Sequence, residues 1–104
     1  LRSRGLGDVY KRQVLRNDPA TNAMVREVAT ALFGAELVGE VKPFMGSEDF
    51  AFMLEQHPHG SYFTIGAGDE PDRCMVHNPG YDFNDALLLT GAALWCGLTE
   101  RYLR

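Results

Sequence analysis

The sequence has few cysteines and no long apolar run, and both absences narrow what the chain can be. Its 2 cysteines, Cys74 and Cys96, are too few for a disulfide-stapled secreted scaffold. We therefore expect two reduced thiols, with Cys96 in the core because it falls within a helical pattern. No stretch of about 18 apolar residues is present, so a membrane span is not expected. The N-terminus lacks the basic-then-apolar pattern of a secretory signal. Two reduced thiols are typical of a cytosolic protein, so a cytoplasmic location is expected.

Positive charge is scarce beyond the first residues. Residues 1–13 carry four basic residues against one acidic residue, whereas the whole chain of 104 residues has a net charge of −4. The rest of the chain is therefore acidic. A nucleic-acid partner is not expected, because binding to phosphates needs a basic face. Residues 1–13 also lack a helical or strand period and look like translated vector sequence, so we predict a non-native or disordered leader there.

From residue 14 onward the residue pattern changes, and residues typical of the start of a helix are present. Asp18 is placed to accept from the unpaired N–H groups of a helix, and Pro19 suits the first helical position. Gly34 is expected to end the helix as a left-handed cap. These signals predict a helix over about residues 19–33.

Two further helices are predicted from the same rules. Ser47 is the expected N-cap of a short second helix, with acidic residues in its first turn, and Asp85 or Asn84 is expected to cap the last helix. Apolar residues at helical spacing define the predicted core faces. Those positions are Met24, Val25, Val28, Leu32, Phe50, Met53, Leu54, Leu87, Gly91, Leu94, Trp95, Leu98 and Tyr102.

Two β-rich segments, residues 36–41 and 61–66, lie between the helical patterns. Alternation of helices and strands favours an α/β layered sheet over a bundle or a sandwich. Two strands alone do not form a stable open sheet, because each needs neighbours along its edges. We therefore expect residues 14–104 to be the C-terminal portion of a larger α/β domain whose other strands lie upstream.

The long loop before the last helix carries the most unusual polar residues. His77 lies within residues 76–85 (VHNPGYDFND), where proline and glycine would display it on a loop. Neutral imidazole is a common metal ligand, and its second ring nitrogen usually binds a carboxylate or a carbonyl. Asp82 and Asp85 are candidates for that support, or they cap the next helix. Taken alone, a single histidine is more often structural or solvated than a ligand.

Two other patterns leave alternatives open. Cys74 and His77 have the spacing of one of the two ligand pairs in a structural zinc site, but a second ligand pair is absent. A nucleophile pair of Cys74 and His77 is the other alternative, but it lacks a third group to orient it. The segment Gly46, Ser47, Glu48 and Asp49 is either an ordinary helix cap or a loop that lines a substrate pocket.

Two motifs together resemble a known family. Residues 45–51 (MGSEDFA) and 76–85 (VHNPGYDFND) resemble the paired C-terminal motifs of the aminoacylase/hippurate hydrolase branch of the dinuclear metallopeptidases, the N-acyl-amino-acid amidohydrolases. Residues 62–68 (YFTIGAG) look like the strand and turn between those motifs. The resemblance covers about residues 14–103. It implies the C-terminal part of a three-layer α/β/α zinc-exopeptidase-like catalytic domain, with an incomplete sheet.

The resemblance also implies a reaction and its parts. His77 would bind one of two divalent ions, zinc or manganese, and the segment from Gly46 to Asp49 would border the substrate pocket. In such enzymes the ions activate a bridging water and polarise the carbonyl of an N-acyl amino acid, such as hippurate or an indole-acetyl amino acid. The other ligands, the general base and a dimerisation domain that makes the enzyme a homodimer would lie upstream.

The chain alone is expected to be inactive, because one imidazole does not hold two ions. Neither a nucleic acid nor a membrane is expected as a partner. The alternative from another class is a free-standing small α/β binding or structural module without catalysis.

Overall fold

The computed structural model describes residues 15–42, 49–68 and 70–104, and within these ranges the regular structure is helical. The predicted leader and the predicted cap Ser47 lie outside the described residues. The chain divides into two compact units, Leu1–Tyr62 and Phe63–Arg104. No helix in the described ranges is long and apolar enough to cross a membrane. The elements are helix α1 (Pro19–Phe33), a 3-10 turn (Ala35–Leu37), helix α2 (Phe50–Gln56) and helix α3 (Leu87–Leu103).

Helix α1 has the bounds that its capping residues predict. The side chain of Asp18 accepts from the backbone N–H of Thr21 at 3.0 Å, and Pro19 occupies the first turn. Gly34 ends the helix, and its N–H donates to the carbonyl of Thr30 at 2.9 Å. The φ of Gly34 is +93° as a glycine cap requires, but its ψ of 150° is not the left-handed helical value that we predicted. This conformation is essentially restricted to glycine. The prediction that Gly34 ends the helix is therefore confirmed, and the predicted left-handed cap geometry is wrong.

The segment after α2 is fastened to the start of α1 by polar contacts. The side-chain amide of Asn17 bonds twice to the backbone of Tyr62: its Oδ1 accepts from the N–H at 2.7 Å, and its Nδ2 donates to the carbonyl at 2.9 Å. The backbone N–H of Asp18 donates to the carbonyl of Gly60 at 2.9 Å. Asn17 therefore makes the two hydrogen bonds that a neighbouring strand would make with Tyr62.

The two predicted strands do not form in the described part of the chain. The 3-10 turn Ala35–Leu37 replaces the start of the strand predicted at 36–41, and residues 61–66 have no assigned strand. A strand exists only when its backbone pairs with a neighbouring strand, and at Tyr62 those bonds go to a side chain instead. The sheet of the expected α/β fold is therefore not formed by these residues among themselves.

Each helix buries a narrower apolar face than the spacing predicts. Leu32, Met53, Trp95 and Tyr102 were predicted core residues, yet they are 46, 61, 61 and 76% exposed. Cys96 is also exposed, so its predicted place in the core is wrong. Because these helices carry apolar residues on more than one side, spacing alone did not select the buried face. Among the residues that the structure describes, the buried apolar ones are Val25 and Val28 on α1, Ala51 and Leu54 on α2, and Leu94 and Leu98 on α3.

The capping contact at Asp18 makes the stability of the first unit depend on pH. Hydrogen bonds from the hydroxyl and the N–H of Thr21 lower the pKa of Asp18, and His59, with Nδ1 4.0 Å from the carboxylate, lowers it further. A carboxyl with a lowered folded pKa stabilises the fold above its unfolded pKa. That contribution is lost as the pH falls through the folded value.

We expect the Asp18→Asn protein to lose less stability than the wild type when the pH falls below 3.8, the ordinary pKa of this carboxyl. Asparagine is an equally good N-cap but does not titrate, so the two proteins should have similar stability at neutral pH. Urea unfolding followed by circular dichroism, at neutral pH and below 3.8, measures the difference. Equal loss of stability in both proteins would contradict the assignment.

Candidate functional site

His77 has an unusual backbone conformation for its residue type. Its φ is +71°, and among the described residues it is the only residue other than glycine with a positive φ. Its imidazole is exposed. The backbone N–H of Asn78 donates to the carbonyl of Met75 at 3.2 Å, which makes His77 the third residue of a four-residue turn. A negative φ followed by a positive φ is the pattern of a type II turn, and histidine tolerates the left-handed region better than most residues.

The residues after His77 form a second, side-chain-stabilised turn. The side chain of Asn78 accepts from the N–H of Gly80 at 2.8 Å, and the N–H of Tyr81 donates to the carbonyl of Asn78 at 2.9 Å. The rings of Tyr81 and Phe83 then pack edge to face, with centroids 5.1 Å apart. Local hydrogen bonds therefore set the backbone on both sides of the imidazole.

The loop is also closed at its base. The side chain of Asn84 donates to the carbonyl of Ala67 at 3.0 Å and accepts from the N–H of Ala86 at 3.1 Å. The residue before α3 is Ala86 and no side chain caps the helix, so the cap predicted at Asp85 or Asn84 is wrong. The contact of Asn84 with Ala86 belongs instead to the turn that leads into α3. The same side chain holds the start of the loop against its end, across 17 positions of sequence.

A second set of contacts closes the same loop, within the segment that Asn84 and Ala67 close. The Nε of Arg73 lies 2.7 Å from the carboxylate of Glu70, and its Nη1 donates to the carbonyl of Asp82 at 3.4 Å. The hydrogen bond between the two side chains lowers the pKa of Glu70 and raises that of Arg73. The ion pair is therefore charged on both sides across the range in which proteins work. Sequence reasoning missed Arg73, although the three-residue spacing of Glu70 and Arg73 was a visible signal.

Asp82 and Asp85, the predicted supports for His77, are both exposed. Their backbone carbonyls accept hydrogen bonds, from Arg73 at 3.4 Å and from the N–H of Leu88 at 3.1 Å. Within the described ranges, no hydrogen bond joins either carboxylate to the imidazole. Their support for His77 stays a prediction.

The predicted pocket segment is only partly described. Gly46, Ser47 and Glu48 lie outside the described residues, so their predicted roles are untested. Asp49 immediately precedes α2 in a helical conformation, with φ −65° and ψ −22°, and its side chain does not cap that helix. Its carbonyl accepts from the N–H of Phe52 at 3.0 Å. Asp49 is therefore the residue that precedes α2 and not a member of its first turn, which is where the sequence predicted it.

The residues present do not by themselves fit a metal centre. In residues 15–42, 49–68 and 70–104, no group of three or more His, Cys, Asp or Glu side chains is arranged to hold an ion. Cys74 and Cys96 form no disulfide, and among the described residues Cys74 and His77 are not joined by a further His, Cys, Asp or Glu side chain placed to hold an ion with them. A protein-bound zinc ion needs three or four protein ligands. His77 therefore offers one imidazole to a site that these residues do not complete.

A separate groove lies in the first unit. It has a volume of about 300 Å³, and its lining is made of the polar residues Arg16, Asn17, Asp18 and Glu55 and the apolar residues Ala51, Leu54 and Pro58. It contains none of the site residues predicted from the sequence. Its carboxylate at Asp18 is already used to cap α1, so the polar lining is partly explained by the fold.

Comparison with known proteins gives a consistent result. The sequence profile of peptidase family M20/M25/M40 matches residues 8–101. The chain is similar to the IAA-amino acid hydrolase ILR1-like 4 of Arabidopsis thaliana, with 34% identity over 84% of this chain and 20% of that protein. It is similar to the putative amidohydrolase YhaA of Bacillus subtilis, with 32% identity over 83% of this chain and 22% of that protein.

A third relative is a hippurate hydrolase of Campylobacter jejuni, with 34% identity over 86% of this chain and 22% of that protein. The chain thus spans about a fifth of the length of the curated relatives that it matches. No solved structure matches the chain significantly.

Proposed function

Because the chain belongs to peptidase family M20/M25/M40, we propose that it is the C-terminal part of a metal-dependent amidohydrolase that cleaves the amide bond of N-acyl amino acids. The membership confirms the resemblance that the motifs at 45–51 and 76–85 predict. It also implies a peptidase-like α/β domain, and we propose the three-layer α/β/α form with an incomplete sheet. The names of two relatives, an IAA-amino acid hydrolase and a hippurate hydrolase, support this substrate class.

The observation that carries the proposal is the setting of His77. An exposed imidazole with a left-handed backbone lies between two hydrogen-bonded turns, in a loop that is closed at two levels. Unusual backbone conformations that the surroundings enforce are concentrated at functional sites. A single ligand on a fixed loop is the contribution that one segment makes when several segments build a metal site.

The surface of α3 supports the idea that further protein covers this chain. A second apolar stripe runs along the helix, and its large side chains are exposed in the described structure. Exposed large apolar side chains that share one side of a helix are typical of a surface that other protein covers. The stripe is made of Leu88, Leu89, Trp95, Tyr102 and Leu103.

Several further features belong to the proposal. The complete site holds two ions, and either zinc or manganese suits ligands of this chemistry. The remaining ligands and the general base come from other segments, so the chain alone is inactive. Gly46, Ser47, Glu48 and Asp49 border the substrate pocket, the complete enzyme is a homodimer, and its location is cytoplasmic.

Removing the metal tests the proposal directly. The product of the complete reading frame that contains these residues is expected to release the free amino acid from N-benzoylglycine or from an indole-acetyl amino acid. A chelator should abolish the release, and added zinc or manganese should restore it, because the ion activates the attacking water. The isolated chain is the matched negative control. Hydrolysis that persists after complete chelation, or no hydrolysis of any N-acyl amino acid with metal present, would refute the proposal.

A further inference from the structure

The loop that carries His77 has an internal brace. Glu70 and Arg73 precede the histidine and Asp82 follows it, and the guanidinium of Arg73 contacts both sides. Arg73 and Asp82 are 9 positions apart, and His77 lies near the middle of the segment that they close. Closing such a segment removes alternative backbone conformations, so the turn at His77 is held in one of them.

We propose that Arg73 is a positioning residue for His77, which it orients by joining the Glu70 carboxylate on one side of the loop to the Asp82 carbonyl on the other. The inference rests on the proposed function, in which His77 is a metal ligand. It adds a residue that touches neither the ion nor the substrate.

The chemistry of arginine suits this brace. Its planar guanidinium presents several N–H donors in fixed directions, so Nε binds Glu70 while Nη1 reaches Asp82. The side chain of Arg73 is 22% exposed, whereas that of Glu70 is 61% exposed. An exposed ion pair alone contributes little to stability. The effect of Arg73 is therefore expected on the geometry of the loop more than on the unfolding of the chain.

The first experiment measures the backbone conformation of His77 in the 104-residue chain, without any metal. A residue with positive φ gives a strong nuclear Overhauser effect between its own amide proton and its own Hα, because the two protons are close. We expect this signal in the wild type, and its clear weakening in Arg73→Met, as the segment samples other conformations. Arg73→Lys keeps the charge but lacks the planar guanidinium with its several N–H donors, so this variant should keep only part of the signal.

Two variants serve as controls. Arg104→Met removes an exposed arginine whose ion pair with Glu100 is 3.8 Å long, and it should leave the His77 signal unchanged. Glu70→Gln weakens the ion pair but leaves Arg73 free to reach Asp82, so a smaller weakening is expected. The midpoint of thermal unfolding should change little in all four variants. A His77 signal that stays at wild-type strength in Arg73→Met would overturn the proposal.

The second experiment uses the product of the complete reading frame and titrates zinc alone. Arg73→Met is expected to weaken zinc binding by about tenfold, since loss of a group that orients a ligand typically costs ~10–100-fold in affinity. If zinc affinity is unchanged in Arg73→Met but falls in His77→Ala, the positioning role is wrong and the proposed function stands. If zinc affinity is unchanged in His77→Ala as well, the ligand role that the proposed function gives to His77 is wrong.

Discussion

His77→Ala is expected to reduce the metal-dependent amidase activity of the complete reading-frame product by at least about 100-fold. Loss of a group that merely orients a ligand already costs ~10–100-fold, and loss of the ligand itself should cost more. The assay is hydrolysis of an N-acyl amino acid at saturating zinc or manganese, together with a direct titration of the metal. Wild-type turnover in His77→Ala would rule out the ligand role.

His77→Asn separates the imidazole from the backbone that carries it. Asparagine tolerates the left-handed φ of +71° that this position adopts, so the turn should persist while the strong nitrogen ligand is lost. We expect His77→Asn to be nearly as inactive as His77→Ala. His57→Ala is the matched control, since His57 is an exposed histidine at the end of α2 and should leave activity unchanged. Recovery of activity in His77→Asn would mean that the backbone, and not the imidazole, is what matters.

Leu94→Ala is expected to have the largest effect on stability. Leu94 is 4% exposed on α3, and replacing a buried leucine by alanine costs ~2–5 kcal/mol through lost burial and the cavity that remains. That loss is a large part of the ~5–15 kcal/mol that stabilises a typical domain. Urea unfolding of the 104-residue chain, followed by circular dichroism, measures it.

Leu89→Ala on the same helix is the matched control. Leu89 is 81% exposed, so the same chemical change should alter stability by no more than about 0.5 kcal/mol. If Leu94→Ala does not fold, Leu94→Met keeps the volume and should cost less than about 1.5 kcal/mol. Equal losses at positions 94 and 89 would show that the face of α3 described as buried is not buried in solution.

Local rules predicted the two ends of α1 well. The bounds of α1 and the cap at Asp18 depend on residues within one turn of each other, so a sequence window contains the whole interaction. The cap predicted at Asp85 or Asn84 is not formed, because α3 begins later, at Leu87. The candidate ligand His77 came from a motif, and its turn is built from neighbours in the chain. The bounds of α1 and the candidate ligand were therefore predictable from the sequence, whereas the turn at His77 was not predicted beyond its being a loop.

Long-range contacts were not predictable in this way. The strand expected at 61–66 has Asn17 as its partner at Tyr62, across 45 positions of sequence, and no periodicity in either segment signals that pairing. Arg73 was also missed, because an arginine in a polar loop is usually solvated, and only the path of the chain brings the carbonyl of Asp82 within its reach.

The sequence by itself determined the bounds of α1, the family and the candidate ligand His77, because each depends on residue types at short or characteristic spacing. The tertiary structure alone decided which face of α3 is buried, with Leu94 and Leu98 covered and Trp95 exposed. It also decided how the loop around His77 is closed. The physical reason is the same in both cases: burial and loop closure depend on what the folded chain brings near a residue, and apolar side chains on several sides of a helix do not record which side will be covered.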